Sequence, residues 1–402
     1  MTPDLCTAPA AWDIVRPEVS RSRPFWGVMT AFLVHGLVVS TWVSRIAGMK
    51  SALHLGDGLL GLCLLGAAIG SVTAIPVCGA LVTRYGSRRI ALWTGCGFAL
   101  ALVPLALTTK VAMLVPALVF YGVMAGANDV AMNALAVGTE RLLGVPTMSR
   151  FHAMFSLGGI AGAGIGALVG ARGVSLSGHL LAGSAICILL IWISGRMTID
   201  TRTEESHAHA PSLHRIPLPL LALSTIGFCI FLSEGAIADW TAVYLKQVLR
   251  AGDGLAPIGY AAFSASMAAF RFAGDAITMR IGRSWTIRGG AAIAATGMAL
   301  VAAAQSPALA IAGFALAGAG YSSIIPLVFA AGGRIPGVGE GVGVATVSGL
   351  GYLGFLAGPP AIGFLAEAFS LRAGIALLVA LGLLSVVLVG VIQRKSQPSP
   401  LD

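Results

Sequence analysis

Twelve stretches of mostly apolar residues follow one another along the chain: 26–47, 58–81, 88–109, 111–139, 151–170, 177–195, 218–246, 254–278, 286–304, 308–332, 339–365 and 371–392. Each is long enough to cross the hydrocarbon core of a bilayer as a helix, which takes about 20 residues. The runs are continuous rather than alternating, which excludes the strands of a membrane barrel. The chain is 57% hydrophobic and 10% charged, whereas a water-soluble domain carries about 25% charged residues. The fold class is therefore an all-α polytopic membrane protein with twelve transmembrane helices.

Basic residues orient the threading. With the N-terminus inside, the inner loops and tails hold 17 of the 25 Lys and Arg residues and the outer side holds 7, namely Arg45, Lys50, Lys110, Arg172, Lys246, Arg250 and Arg372. This bias fits the positive-inside rule with both termini cytoplasmic. Topology accounts for the net charge of +9, so nucleic acid is set aside as a partner. No cleavable signal is expected before the first span, and residues 1–25 read as a cytoplasmic tail. A six-helix bundle is expected over 26–195, a cytoplasmic linker over 196–217, a second bundle over 218–392 and a short tail over 393–402. His207, His209 and His214 in the linker match no standard ligand spacing, and the six cysteines show no paired spacing, so neither metal nor cofactor is expected.

The two halves repeat at an offset of 196 residues. Arg84-Tyr85-Gly86 falls on Arg280-Ile281-Gly282, Gly122 on Gly318, Gly158 on Gly354 and Gly162 on Gly358. Gly158, Gly162, Gly166 and Gly170 line one face of span 5, and span 11 carries Gly354 and Gly358 before Pro359-Pro360. Helices in lipid associate through close packing at small residues, so both spans are expected to be contact surfaces. The double proline is expected to bend or interrupt span 11.

Between spans 2 and 3 the chain reads GALVTRYGSRR, residues 79–89. This resembles the signature of the major facilitator superfamily, matched by Gly79, Leu81, Arg84, Gly86, Arg88 and Arg89. Thr83 stands where the family carries an aspartate of a charge latch between the halves. The second half reads RFAGDAITMRIGR, residues 271–283, with Asp275 present. Further stretches, GANDVAMNALAV (126–137), FHAMFSLGGIAGAGIG (151–166) and SEGAIADWTAVYL (233–245), resemble the bacterial MosC-like and YbjJ-type subfamily. The resemblance implies two pseudo-symmetric six-helix bundles, transport, a bacterial inner membrane and a central cavity lined by spans 1, 4, 7 and 10. Gly79, Arg84, Gly86, Arg88, Arg271, Asp275 and Arg280 are the latch candidates. Arg271 and Asp275, four apart, can pair along one helix.

Ionisable residues inside spans cost at least about 2.5–3.5 kcal/mol on insertion scales and are functional candidates by default. Span 7 holds Glu234 and Asp239. Five positions separate them by about 140°, so one is expected to face the cavity and the other a neighbouring helix. A local hydrogen bond at a helix break near Gly235 is the structural alternative. Span 4 holds Asn128, Asp129 and Asn133, either a ligand site or a hydrogen-bond knot between helices. In span 1, His35, Trp42 and Arg45 share a stripe, with Arg45 expected to snorkel to headgroups. Trp240, Tyr244 and Tyr321 add aromatic faces suited to sugar- or polyol-like solutes and equally to lipophilic drugs.

No phosphate-binding Gly-rich loop with its Lys is present, so no nucleotide drives the cycle. The reading is a monomeric secondary transporter, not an enzyme, whose small-molecule substrate is a polar solute, sugar- or polyol-like, moved by alternating access with protons as coupling ion. A drug/proton antiporter is the alternative within the class. A membrane receptor that binds without transport is the alternative outside it.

Overall fold

The computed structural model describes residues 22–144, 147–199, 216–336, 338 and 340–395, without the side chains of 149, 275, 340–342, 345, 391 and 393–395. The linker histidines lie outside the described residues, as does the side chain of Asp275. Fifteen helices are described. In the first half they are α1 (Arg23–Val43), α2 (Ile46–Ala52), α3 (Asp57–Tyr85), α4 (Ser87–Leu100), α5 (Leu102–Ala106), α6 (Val111–Leu143), α7 (Met148–Ala171) and α8 (Leu176–Met197). The second half holds α9 (Leu218–Gln247), α10 (Ile258–Ile281), α11 (Arg283–Ala303), α12 (Pro307–Tyr321), α13 (Ile324–Gly332), α14 (Glu340–Ala368) and α15 (Leu371–Lys395).

The pairs α1–α2, α4–α5 and α12–α13 each form one span with a break. Eleven spans among the described residues have the length and apolarity to cross a membrane. The twelfth, α10, has the length at 24 residues, but its polar load of Arg271, Asp275 and Arg280 sets it apart from them. Large apolar side chains such as Val77, Trp93 and Phe272 point outward, as they must where the surrounding solvent is lipid.

Packing repeats between the halves. In the first, α1 packs on α7 and α8, α3 on α6, and α4 on α6 and α8; in the second, α9 packs on α14 and α15, α10 on α12, and α11 on α12 and α15. Close contacts obey the same 196-residue offset. A methyl group on Gly122 would collide with the Ala67 carbonyl, and one on Gly318 with that of Phe263. Gly86 and Gly282 turn the chain at φ 88° and 80°, and the two non-glycine residues with positive φ among the described residues, His54 and Arg250, are also 196 apart. A left-handed φ is unfavourable for a side-chain-bearing residue, so its recurrence at this spacing reflects a shared loop geometry.

The glycine faces are contact surfaces. Gly158, Gly162 and Gly166 of α7 abut Leu33, Ser40 and Ser44 of the first span, and Gly354 and Gly358 of α14 abut Phe228 and Leu232 of α9. Helix α14 is not interrupted by Pro359 and Pro360, which lie within it. Membrane helices tolerate proline where packed neighbours compensate the lost backbone bonds. Here α9, α3 and α15 all pack against α14.

Between the halves, α3 packs on α14 and α7 on α10. A cluster of close inter-half contacts lies at the end that carries Lys50. Lys50 is 4% exposed; it forms an ion pair with Asp57 and its Nζ donates to Gln247 Oε1 at 2.7 Å across the halves. The N-terminus of α3 is capped in trans, as Gly58 N–H donates to Glu367 Oε2 at 3.1 Å. Gly61 meets Pro359 and Gly363, and Gly254 meets Ala167 and Ala171. At the opposite end Gly79 meets nothing within 4 Å.

Candidate functional site

The interior seam is built by α6, α9, α10 and α14. Glu234 and Asp239 sit within the apolar helix α9, yet both keep partial access to solvent. Both lie within electrostatic reach of the Tyr260 hydroxyl on α10. Asp239 also reaches Tyr121 of α6; Glu234 reaches Tyr321 and the Arg271 guanidinium. The expectation that only one of the two faces the interior is therefore corrected. Tyr260 of α10 lies within reach of both carboxyl groups although they are about 140° apart around α9.

Asp129 faces the same seam from α6, within electrostatic reach of Tyr352 on α14. Asn133 donates to the Asp129 carbonyl at 2.8 Å and to its carboxylate at 3.2 Å. This i,i+4 bond engages one oxygen of the carboxylate. Oε1 of Glu234 is itself buried and has no hydrogen-bond partner. That atom is the most informative in the seam, because an unsatisfied buried acceptor costs about 1–3 kcal/mol and more when charged.

Among the described residues, Arg271 reaches span 10 and a neighbour on its own helix. Its Nε donates to the Ser322 carbonyl at 3.1 Å and a terminal nitrogen approaches Met267 Sδ at 3.5 Å. The reason lies in span 10. In a continuous helix the carbonyl of residue 322 would accept from the amide of residue 326, but Pro326 has no N–H. The span breaks at Ser322-Ser323 between α12 and α13, and Arg271 fills the vacancy.

Other candidates are withdrawn into packing. His35 is buried within the first half, where it accepts from Asn128 Nδ2 at 2.8 Å, and Asn128 Oδ1 lies 3.2 Å from the Thr94 hydroxyl. The His35 ring also packs on Phe98, centroids 4.8 Å apart. Asn128→Ala is expected to cost about 1–3 kcal/mol, the penalty of orphaning a buried partner. Thermal unfolding in detergent would show the loss, with transport in the surviving folded fraction unchanged.

Trp42, Trp240, Tyr244 and Tyr321 are at most 2% exposed, so none offers a stacking face; Tyr244 donates to the Val301 carbonyl at 2.6 Å. Arg45 does not snorkel. It is 9% exposed and turns inward, with Nε donating to His179 Nδ1 at 2.9 Å and a terminal nitrogen to the Val174 carbonyl at 3.0 Å. The unwound turn between α1 and α2 aims it at the α7–α8 loop instead of the lipid.

Of the latch candidates, Arg84 lies over the Tyr85 ring, 5.2 Å from its centroid. Arg88 donates twice to the Gly195 carbonyl within the first half, at 2.8 and 3.0 Å, and Arg280 is exposed. Among the described residues, Lys50, backed by Asp57 of its own half, and Glu367 bond across the halves; none of the three was singled out from the sequence. A signal existed for the first two. The 196-residue offset places Lys50 on Lys246 and Asp57 on Asp253, and Lys246 pairs with Asp253 at 2.6 Å as Lys50 does with Asp57. Tyr260, Tyr121 and Tyr352 were missed because an aromatic residue in an apolar run carries no mark of which way it faces.

Known proteins place this arrangement. Residues 27–346 match the profile of the Major Facilitator Superfamily. An uncharacterized MFS-type transporter of Yersinia pestis is 35% identical over 359 residues, covering 89% of this chain and 92% of that one. The membrane protein MosC of Rhizobium meliloti is 32% identical over 385 residues, covering 91% and 93%. Among solved structures, a point mutant of the nucleoside transporter NupG superposes with a TM-score of 0.75 at 11% identity over 92% of this chain and 99% of that one. A bacterial homolog of the human lysosomal transporter Spinster, inward-facing and unoccupied, gives 0.72 at 14% identity over 94% and 98%. The profile match over most of the chain and the relatives at 32–35% identity show that this chain is a multi-pass membrane transporter, not an enzyme, and belongs to the major facilitator superfamily.

Proposed function

We propose that this chain is a monomeric carrier in a bacterial inner membrane that moves a small polar solute, sugar- or polyol-like, by alternating access coupled to protons. Glu234 is the coupling group. The observation that carries this reading is its orphaned Oε1 on a side chain that is only partly buried. Such a site suits a carboxyl that carries its proton in one state and exchanges it in another. Asp239 and Asp129, with Asn133, supply acceptors for hydroxyl groups on the two sides of the seam.

The basic-residue asymmetry supports both termini in the cytoplasm, which puts the Lys50 end at the periplasm. The arrangement is then closed outside. Among the described residues, three carboxyl groups against one guanidinium along the seam also favour a second reading, efflux of cationic lipophiles in exchange for protons.

Counterflow in proteoliposomes separates the readings, using sugars, inositols, amines and dyes with and without a pH gradient. Solute-dependent alkalinisation with sugars or inositols is expected. Exchange of dyes alone would establish efflux, and binding without flux would establish a receptor.

A further inference from the structure

Arg271 stands between two acceptors, each of which has reason to claim it. One is the Ser322 carbonyl, deprived of its helical donor by Pro326 and now bonded to Arg271 Nε at 3.1 Å. The other is Glu234, within electrostatic reach and with one buried oxygen unpartnered. We propose that Arg271 is the positioning residue that links the charge on Glu234 to the break in span 10, by moving from the Ser322 carbonyl to the Glu234 carboxylate. The proposal rests on Glu234 being the proton-carrying group.

While Glu234 holds its proton, the neutral carboxyl competes weakly for a guanidinium, and Arg271 stays on the backbone. Once the proton leaves, a charge-assisted bond to the carboxylate is the stronger one. The Ser322 carbonyl is then released, and α13 is free to change its angle to α12. A carbonyl orphaned by proline is what makes the exchange possible, because an ordinary helix would hold that oxygen in both states.

Among the described residues the groups around the pair are few, and Asp275, four positions on from Arg271 along α10, has its side chain outside them. Arg271 and Tyr260 of α10 and Tyr321 of α12 face Glu234, and Asp239 lies five positions on along α9. His152 of α7 faces Arg271 from the other half. Lys50 and Asp57 are engaged with each other at the Lys50 end, and Tyr352 of α14 faces Asp129.

The test needs no substrate. Thr83 and Met279 are exposed residues 196 apart at the ends of α3 and α10. In a background without the native cysteines, Thr83→Cys and Met279→Cys carry spin labels, and the distance distribution in nanodiscs is followed from acid to alkaline pH. The unsubstituted pair is expected to shift population with pH, and Glu234→Gln to remove the shift. Arg271→Gln alone orphans Ser322 and risks misfolding. The double variant Arg271→Gln/Pro326→Ala restores an amide donor to that carbonyl and is expected to fold with native thermal stability yet show no pH-driven shift.

A double variant that keeps the unsubstituted protein's pH profile would reduce Arg271 to a structural cap and overturn the inference, while leaving Glu234 as coupling group. A profile that survives Glu234→Gln would instead remove the functional reading beneath it.

Discussion

Glu234→Gln is expected to abolish solute accumulation driven by a pH gradient, by at least about tenfold, the factor that 1.4 kcal/mol of lost coupling represents. Passive counterflow is expected to remain. Glutamine keeps the shape of the side chain and can hydrogen bond to Arg271 or Tyr260, but it cannot exchange a proton. A proton drives a conformational equilibrium only if the two states bind it unequally, and Glu234 combines a place inside a span, partial burial and an unpartnered oxygen. Solute-dependent alkalinisation that survives in Glu234→Gln/Asp129→Asn would refute the coupling assignment. Asp239→Asn, measured beside it, separates a coupling carboxylate from one that binds solute.

The second large effect is expected from Gly61→Leu. A side chain there would begin 2.6 Å from the Pro359 carbonyl and 3.1 Å from Gly363 Cα, both in the other half. Overpacking of this kind costs about 1–3 kcal/mol, and here the cost falls on the closed arrangement of the Lys50 end alone. Neither half loses an internal contact, so the protein is expected to fold. About 2 kcal/mol moves a two-state equilibrium some thirtyfold, and transport is expected to fall accordingly because the carrier rests in the opposite state. The Thr83/Met279 label pair would report it as a shortened distance, with Gly61→Ala intermediate. An unchanged distribution would show that the contact does not discriminate between states.

The spans, the repeat and the glycine faces were legible in the sequence because each is a property of the backbone or of bulk polarity. An apolar run of membrane length, or a glycine every fourth residue, has few structural meanings. The azimuth of a polar side chain was less accessible. His35 and Glu234 look alike as ionisable residues mid-span, yet one is engaged by Asn128 and the other has an oxygen with no partner. What decides between them is a neighbour on another helix.

Arg271 makes the same point. The side chain of Asp275, the partner read from the sequence, lies outside the described residues, and the bond that is described goes to a carbonyl 51 residues away. That carbonyl is vacant only because of Pro326, so the clue was present but divided between two spans. Arg45 was misread for a related reason: an arginine near a span end usually reaches headgroups, and only the unwound turn after α1 redirects it.

The trans cap on α3 has a consequence for how the carrier opens. The amides at the start of a helix have no partners of their own, and Glu367 of the opposite half meets one of them. When the Lys50 end parts, that amide and that carboxylate must each find new hydrogen bonds, and the nearest supply is bulk liquid. Water thus enters the gating equilibrium as a stoichiometric reactant, and its activity, along with solute and proton, weights the resting conformation of the membrane protein.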